Sequence, residues 1–256
     1  MDMHIEPIPA FKDNYIWSLL HPTCAFTLCV DPGDAKPVEQ FLQQCQRTLT
    51  AILITHHHWD HTHGLVELMQ QRNIPVFGPA HTVDEVTHPL TDRQVCSLPE
   101  FDLEFEVLAI AGHTLDHLAY YGHGILFCGD TLFAGGCGRL FEGSATQMYQ
   151  SLQQLAALPS TTQVYCAHEY TLTNLQFALQ VEPENTAIQQ RLFQVQKLRT
   201  QQQPSLPTSI GLELATNPFL RVTQPTVIDA AQRYADQALT DPVDVFAALR
   251  DWKDHF

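Results

Sequence analysis

Between positions 55 and 64 the chain reads Thr-His-His-His-Trp-Asp-His-Thr-His-Gly, five histidines and one aspartate in ten positions. Imidazole and carboxylate at that density suit Zn2+, which takes nitrogen and oxygen donors in tetrahedral or five-coordinate sites. His56 and His58 are two apart, so in an extended segment both point to one side. Asp60 and His61 stand where the chain turns into a helix and can reach a second ion close by. His57 and His63 fall outside the H-x-H-x-D-H spacing and read as outer or surface residues. A histidine-rich loop can also be a solvated turn or an adventitious metal tract. This one is wedged between an apolar strand, Ala51–Ile54, and a helix that begins near Gly64, which is the setting of a built site.

Three more donors follow strands of their own. His113 lies in Ala-Gly-His-Thr, Asp130 in Cys-Gly-Asp-Thr and His168 in Cys-Ala-His-Glu. With the first cluster they make seven donors, enough for two ions that share one carboxylate and more than the four of a closed structural zinc. Such a pair of ions lowers the pKa of bound water from ~15.7 to about 7, so hydroxide is at hand near neutral pH as a nucleophile. Asp60 can accept a hydrogen bond from that hydroxide and aim it. No G-x-S-x-G elbow supplies a serine alternative. Cys128, Cys137 and Cys166 lie near the motifs but fit buried strand positions better than nucleophilic ones.

The elements that hold these residues alternate strand and helix through the first 170 positions. Strands are expected at Tyr15–Leu20, Thr27–Val30, Ala51–Thr55, Leu103–Ile110, Ile125–Cys128 and Gln163–Ala167. Several end in a polar residue: Asp31, His56, His113, Asp130 and His168. Reactive groups gather at strand ends in layered α/β folds, so one site is expected. Helices are expected over Ala35–Arg47 and Leu65–Gln71, and over Met148–Leu158 after a Ser144–Gln147 capping box. Beyond 171 the pattern turns helical: Leu172–Val181, Thr186–Gln202 capped by Asn185, Val227–Ala238, and Val243–Lys253 capped by Asp241 with Pro242 first. The expected division is 1–170 and 171–256.

Composition excludes several classes. The formal charge of −15 argues against nucleic acid or an anionic membrane as partner. No apolar run approaches the ~20 residues of a membrane span. The first residues, Met-Asp-Met-His-Ile-Glu-Pro, lack the basic and apolar regions of a signal peptide. Seven cysteines, an odd number without C-x-x-C, argue against a disulfide framework and for a reducing cytoplasm.

H-x-H-x-D-H followed by G-H-T, G-D-T and a late histidine resembles the metallo-β-lactamase fold. Gly129-Asp-Thr-Leu-Phe-Ala-Gly-Gly-Cys-Gly138, Cys166-Ala-His-Glu-Tyr-Thr171, Val181-Glu-Pro183 and Thr216-Asn-Pro-Phe219 narrow the likeness. Along nearly the whole chain these resemble the hydroxyacylglutathione hydrolases, also called glyoxalase II. The resemblance implies an α/β (α+β) fold: an αββα sandwich of two mixed sheets flanked by helices, with a C-terminal α-helical domain that binds glutathione. It implies His56, His58 and His113 on one zinc, Asp60, His61 and His168 on a second, and Asp130 bridging; iron or manganese can substitute. It also implies Arg139, Tyr170, Arg250 and Lys253 as substrate-binding residues. Where some members carry a tyrosine two residues after that first basic position, this chain has Phe141.

The implied activity is hydrolysis of S-D-lactoylglutathione to glutathione and D-lactate by a zinc-bound bridging hydroxide, the second step of methylglyoxal removal. The enzyme is expected to be a cytoplasmic monomer acting on a small molecule. An anionic substrate on an acidic protein requires a local basic patch. Arg250 and Lys253, three apart on one helix, are the expected source. The competing activities are a glutathione persulfide dioxygenase, which binds one iron, and another hydrolase of the same fold such as a lactonase. Metal content and paired activity assays separate them.

Overall fold

The computed structural model describes residues 4–70 and 72–256. The expected helix over 65–71 is helical from Leu65 to Met69, and its end at Gln71 lies outside the described residues, as do Met1 to Met3 of the leader reading. The chain divides into two compact units, one running to Ala109 and adding Asp116–Gly129, the other formed by Ile110–Leu115 and Asp130–Phe256.

The first unit begins with a six-stranded sheet in sequence order: β1 (His4–Ala10), β2 (Asn14–Leu20), β3 (Phe26–Val30), β4 (Thr48–Leu53), β5 (Val76–Pro79) and β6 (His88–Leu90). β1 to β3 pair antiparallel and β3 to β6 parallel. β1 carries Pro7 and Pro9, which lack a donor for a sheet ladder, and it occupies the sheet edge where that costs least. The parallel pairs need crossovers. α1 (Ala35–Gln44) makes the first of them and buries Val38 and Leu42 against Leu49, Ile52, Leu65 and Leu68. It starts where the Asp34 side chain accepts from the Lys36 amide. It stops at Gln44, short of the expected Arg47, because Gln46 takes a left-handed φ of 52° and Arg47 turns back to donate to the carbonyls of His21 and Cys24.

After β4 come two short helices, α2 (Trp59–Thr62) and α3 (Leu65–Met69). Gly33 is required beneath α2: a Cβ there would stand 1.7 Å from the Asp60 carbonyl oxygen. β7 (Val95–Leu98), β8 (Leu103–Ala109), β9 (Leu118–Gly122) and β10 (Ile125–Gly129) form an antiparallel set in the same unit. The buried Tyr120 hydroxyl in β9 donates to the Ile54 carbonyl at 2.7 Å, which ties this set to the end of β4.

In the second unit a tight hairpin, β11 (Leu132–Phe133) with β12 (Gly136–Cys137), precedes α4 (Ala145–Ala156). The expected capping box is present, with the Ser144 hydroxyl on the Gln147 amide and the Gln147 side chain on the Ser144 amide. β13 (Gln163–Cys166) pairs with β14 (Thr208–Ser209), and α5 (Thr171–Val181), α6 (Thr186–Thr200), α7 (Ile210–Thr216), α8 (Pro225–Ala235) and α9 (Pro242–Asp254) supply the rest. Asn185 and Asp241 cap α6 and α9 as expected. α8 ends at Ala235 rather than 238, where Asp236 adopts a left-handed φ of 52°. Asn217 of the Thr-Asn-Pro-Phe motif donates to the carbonyls of Phe133 and Gly136, at 3.2 and 2.9 Å, and clamps the hairpin from below. Glu213, fully buried against Arg191, accepts from the Gly135 amide in the same clamp. Among the described residues no helix is long and apolar enough to cross a membrane.

Candidate metal centre

In the first unit, β4 delivers the chain to Thr55 and His56, both fully buried, and α2 begins at Trp59 with His58 as its N-cap. The rings of His58 and His61 lie 4.7 and 4.2 Å from that of His56, centroid to centroid. Asp31, at the end of β3, organises them. Its carboxylate accepts from the Thr55 amide (2.8 Å), the Thr55 hydroxyl (2.7 Å) and His61 Nδ1 (3.0 Å). The Thr55 hydroxyl has one proton and gives it to Asp31, so at 3.0 Å it accepts from His56 Nδ1. Both histidines therefore carry their proton on Nδ1 and present the Nε2 lone pair. His61 Nε2 faces Asp60 Oδ2 at 3.5 Å. His117, buried, stacks on His56 at 4.6 Å.

The second unit arranges its donors by the same logic. His113 Nδ1 donates to the Arg139 carbonyl at 2.9 Å, an oxygen that can only accept, so Nε2 is again the lone-pair nitrogen. That nitrogen stands 3.5 Å from Asp130 Oδ2, and His168 Nε2 stands 3.3 Å from the same oxygen. Gly138 permits the turn: a Cβ there would meet the Asp130 carbonyl at 1.9 Å. Phe133 and Tyr170 box His168, the phenyl edge-on at 5.8 Å and the phenol stacked at 4.7 Å.

These separations fit a metal ion. Tetrahedral zinc with donors at ~2.0–2.2 Å sets neighbouring donor atoms ~3.3–3.6 Å apart. A nitrogen lone pair facing a carboxylate oxygen at 3.3–3.5 Å is repulsive by itself and becomes favourable when a cation lies between them. Fixing each imidazole through its far nitrogen is how proteins orient metal-binding histidines. Burial pushes the thiols of Cys137 and Cys166 up to about 11 and about 12, which disfavours either as a thiolate nucleophile.

Residues 26–168 match the family described as the metallo-beta-lactamase superfamily, and residues 169–256 match the hydroxyacylglutathione hydrolase C-terminus. The chain is 51% identical over 255 residues to a hydroxyacylglutathione hydrolase of Nitrosomonas europaea, covering 99% of this chain and 97% of that one. A second, from Nitrosomonas eutropha, is 53% identical over 253 residues and covers 98% of each. The chain belongs to the hydroxyacylglutathione hydrolase family. Its fold is that of the metallo-β-lactamases. The solved structure of ETHE1 from Myxococcus xanthus superimposes with a TM-score of 0.65, covering 99% of this chain and 98% of that one at 22% identity, a likeness of fold.

The substrate that the family is named for is a glutathione conjugate, an anion, and the second unit carries a group of cations. Arg139 is exposed and its Nε lies 3.4 Å from Asp254 Oδ1. Arg250 is buried: its guanidinium donates to the Cys137 carbonyl (2.9 Å) and to Asp254 (2.9 Å) and lies over the Phe219 ring at 5.2 Å. Lys253 Nζ lies between the rings of Phe177 and Phe256, at 5.4 and 5.0 Å. Burial, with Arg250 and Arg139 nearby, lowers this ammonium from its ordinary 10.5 to about 8. The group carries three cations against one carboxylate, a local reversal of the global charge. Tyr170 is exposed and stacks on His168, and the exposed Phe141 sets its ring edge against His113 at 5.2 Å. His63 is exposed, and His57 Nδ1 pairs with Asp116 at 3.0 Å. Sequence reasoning placed Asp31 at a strand end without a role, and it missed Thr55 and Asn14. The Asn14 amide donates to Asp60 Oδ2 at 3.0 Å.

Proposed function

We propose that the chain hydrolyses S-(2-hydroxyacyl)glutathione thioesters, chiefly S-D-lactoylglutathione, to glutathione and D-lactate, the second step of methylglyoxal removal. The observation that carries this reading is the 51% identity to a hydroxyacylglutathione hydrolase along 99% of the chain. In it, His56, His58 and His113 hold one ion, Asp60, His61 and His168 hold another, and Asp130 is shared. Zinc is the first choice of metal for these donors, with iron or manganese as substitutes. Bound there, the ions would supply water deprotonated near neutral pH and an electrophile for the thioester carbonyl.

The chain's own residues do the rest. Asp31 holds the His61 ring directly and the His56 ring through Thr55, so both present Nε2. Asp60, through the oxygen not held by Asn14, accepts a hydrogen bond from the attacking hydroxide and aims it at the carbonyl carbon. The leaving thiolate is a weak base and needs no dedicated acid. Residues 171–256 serve as the glutathione-binding domain. Lys253 and Arg139 meet the glutathione carboxylates, Arg250 braces them through Cys137 and Asp254, and Tyr170 lies against the sulfur-bearing portion. The odd, C-x-x-C-free set of seven cysteines supports a reducing cytoplasm, where the chain would act as a monomer.

The test is hydrolysis of S-D-lactoylglutathione by metal-loaded and chelated protein, with elemental analysis of both. Two ions per chain and activity lost with them are expected. Loaded protein with two ions and no thioesterase activity would defeat the proposal. One iron with oxygen-dependent persulfide oxidation would transfer the chain to the dioxygenases.

A further inference from the structure

The tip of the β1–β2 hairpin meets the H-x-H-x-D-H segment at two points. Phe11 holds a left-handed φ of 50°, a conformation rare for residues with a side chain, and its ring meets Trp59 edge-on at 5.0 Å. Three residues later Asn14 opens β2 with its side chain buried, and its Nδ2 donates to Asp60 Oδ2 at 3.0 Å. The same oxygen faces His61 Nε2 at 3.5 Å.

We propose that Asn14 is a positioning residue for Asp60, fixing the carboxylate plane so that one chosen oxygen confronts His61 and the ion those two residues share. This rests on the metal assignment of Asp60 made above. A carboxylate on a short side chain turns easily, because its terminal torsion is broad and nearly two-fold. Asp60 sits in the first turn of a helix only four residues long, which offers it little restraint. A carboxylate oxygen has two lone-pair directions. One receives the Asn14 N–H, and the other stays directed at the space in front of His61. The neutral amide donates without bringing a charge that would compete with the cation. An aspartate at position 14 would repel Asp60, and an alanine would leave the oxygen without this donor. Asn14 is thus to Asp60 what Asp31 is to His61, an outer group that sets the direction of a ligand. Its place at the start of a fully paired strand makes the donor rigid, since Asn14 itself pairs with Ala10 in the β1–β2 register.

The experiment compares the parent with Asn14→Ala and Asn14→Leu, the second filling the volume the amide leaves. Zinc affinities of the two sites are measured by chelator competition, beside melting temperature and the separate kcat and KM for the thioester. Loss of an outer partner weakens a metal site by about 10–100-fold. The expected result is that loss at one ion only, the other unchanged, with kcat falling at limiting free zinc, KM near the parent value, and excess zinc restoring part of the rate. Two affinities and a kcat equal to the parent in both variants would overturn the proposal. So would parallel weakening of both ions with a large fall in melting temperature, or failure of both variants to fold, since each would assign Asn14 to the fold alone. A parent that takes up a single ion would instead refute the assignment of Asp60.

Discussion

Lys253 gives the proposed substrate site a pH signature. Its ammonium is held at about 8 by burial and by Arg250 and Arg139, so it loses its proton in mildly alkaline solution. If the charged form meets a glutathione carboxylate, kcat/KM must follow the fraction protonated in the free enzyme. Relative to pH 7, that fraction halves near pH 8 and falls by about tenfold at pH 9, at one decade per unit. The fall levels off once the contact is lost. A hydrogen bond to a charged group contributes ~1.5–3 kcal/mol, so the floor lies roughly 10–150-fold down.

The assay is kcat/KM against pH for the parent, Lys253→Arg and Lys253→Met. Arginine stays protonated and should flatten the limb. Methionine should lower kcat/KM at pH 7 and remove the limb. Titration of the substrate itself would appear in all three and cancels in the ratios. Stability has the opposite sense. Between about 8 and 10.5 the unfolded chain holds a proton that the folded chain has released, so the substrate-free protein should gain stability as pH rises through that window. A Met variant with the parent's kcat/KM and the parent's limb would remove Lys253 from the site.

Asp130→Ala should lower activity by orders of magnitude and cut metal content, since Asp130 faces both His113 and His168, whereas His57→Ala, which loses a bond to Asp116 and a ring contact with His58, should be much milder; equal effects measured by zinc analysis and initial rates would refute the donor assignment. Arg221→Ala should lower the melting temperature by a few degrees, about 1–3 kcal/mol, by stripping the paired bonds from Glu182. Burial raises the Glu182 pKa, but the bonds from Arg221 and Thr226 outweigh it and leave it below the ordinary value. The stabilisation is therefore present above the unfolded carboxyl's titration and lost as pH falls through the folded one, so parent and variant should converge in acid melts.

Legibility followed the physical origin of each feature. Elements set by periodicity and capping were readable: α4 with its capping box, α6 behind Asn185, α9 behind Asp241. Elements set by context were not. β1 contains Glu-Pro-Ile-Pro, which reads as a breaker until the sheet edge makes two missing donors harmless. α7 is a seven-residue helix between proline-marked loops, too short for a periodic signal, and the bonds of Glu213 to Arg191 and to the Gly135 amide anchor it. Helix ends slipped where a left-handed residue intervened, at Gln46 and Asp236.

The site shows the same split, and for a reason that bears on what Asn14 and Asp31 do. A metal ligand announces itself because histidine and aspartate at strand ends are chemically conspicuous and their spacing is local. The groups that orient those ligands are ordinary residues made effective only by long-range placement: Asp31 lies 30 positions from His61, and Asn14 lies 46 from Asp60. Neither has a spacing that chemistry dictates. Asp31 acts through the far nitrogen of His61 and Asn14 through a second lone pair of the Asp60 oxygen, so each can be exchanged without touching the donor count. Metal content measured at saturating zinc should therefore be blind to them, and affinity should not. A donor's loss takes away a bond to the ion itself and so cuts occupancy even at high zinc, whereas a positioning residue's loss shifts by about 10–100-fold the concentration at which the ion binds.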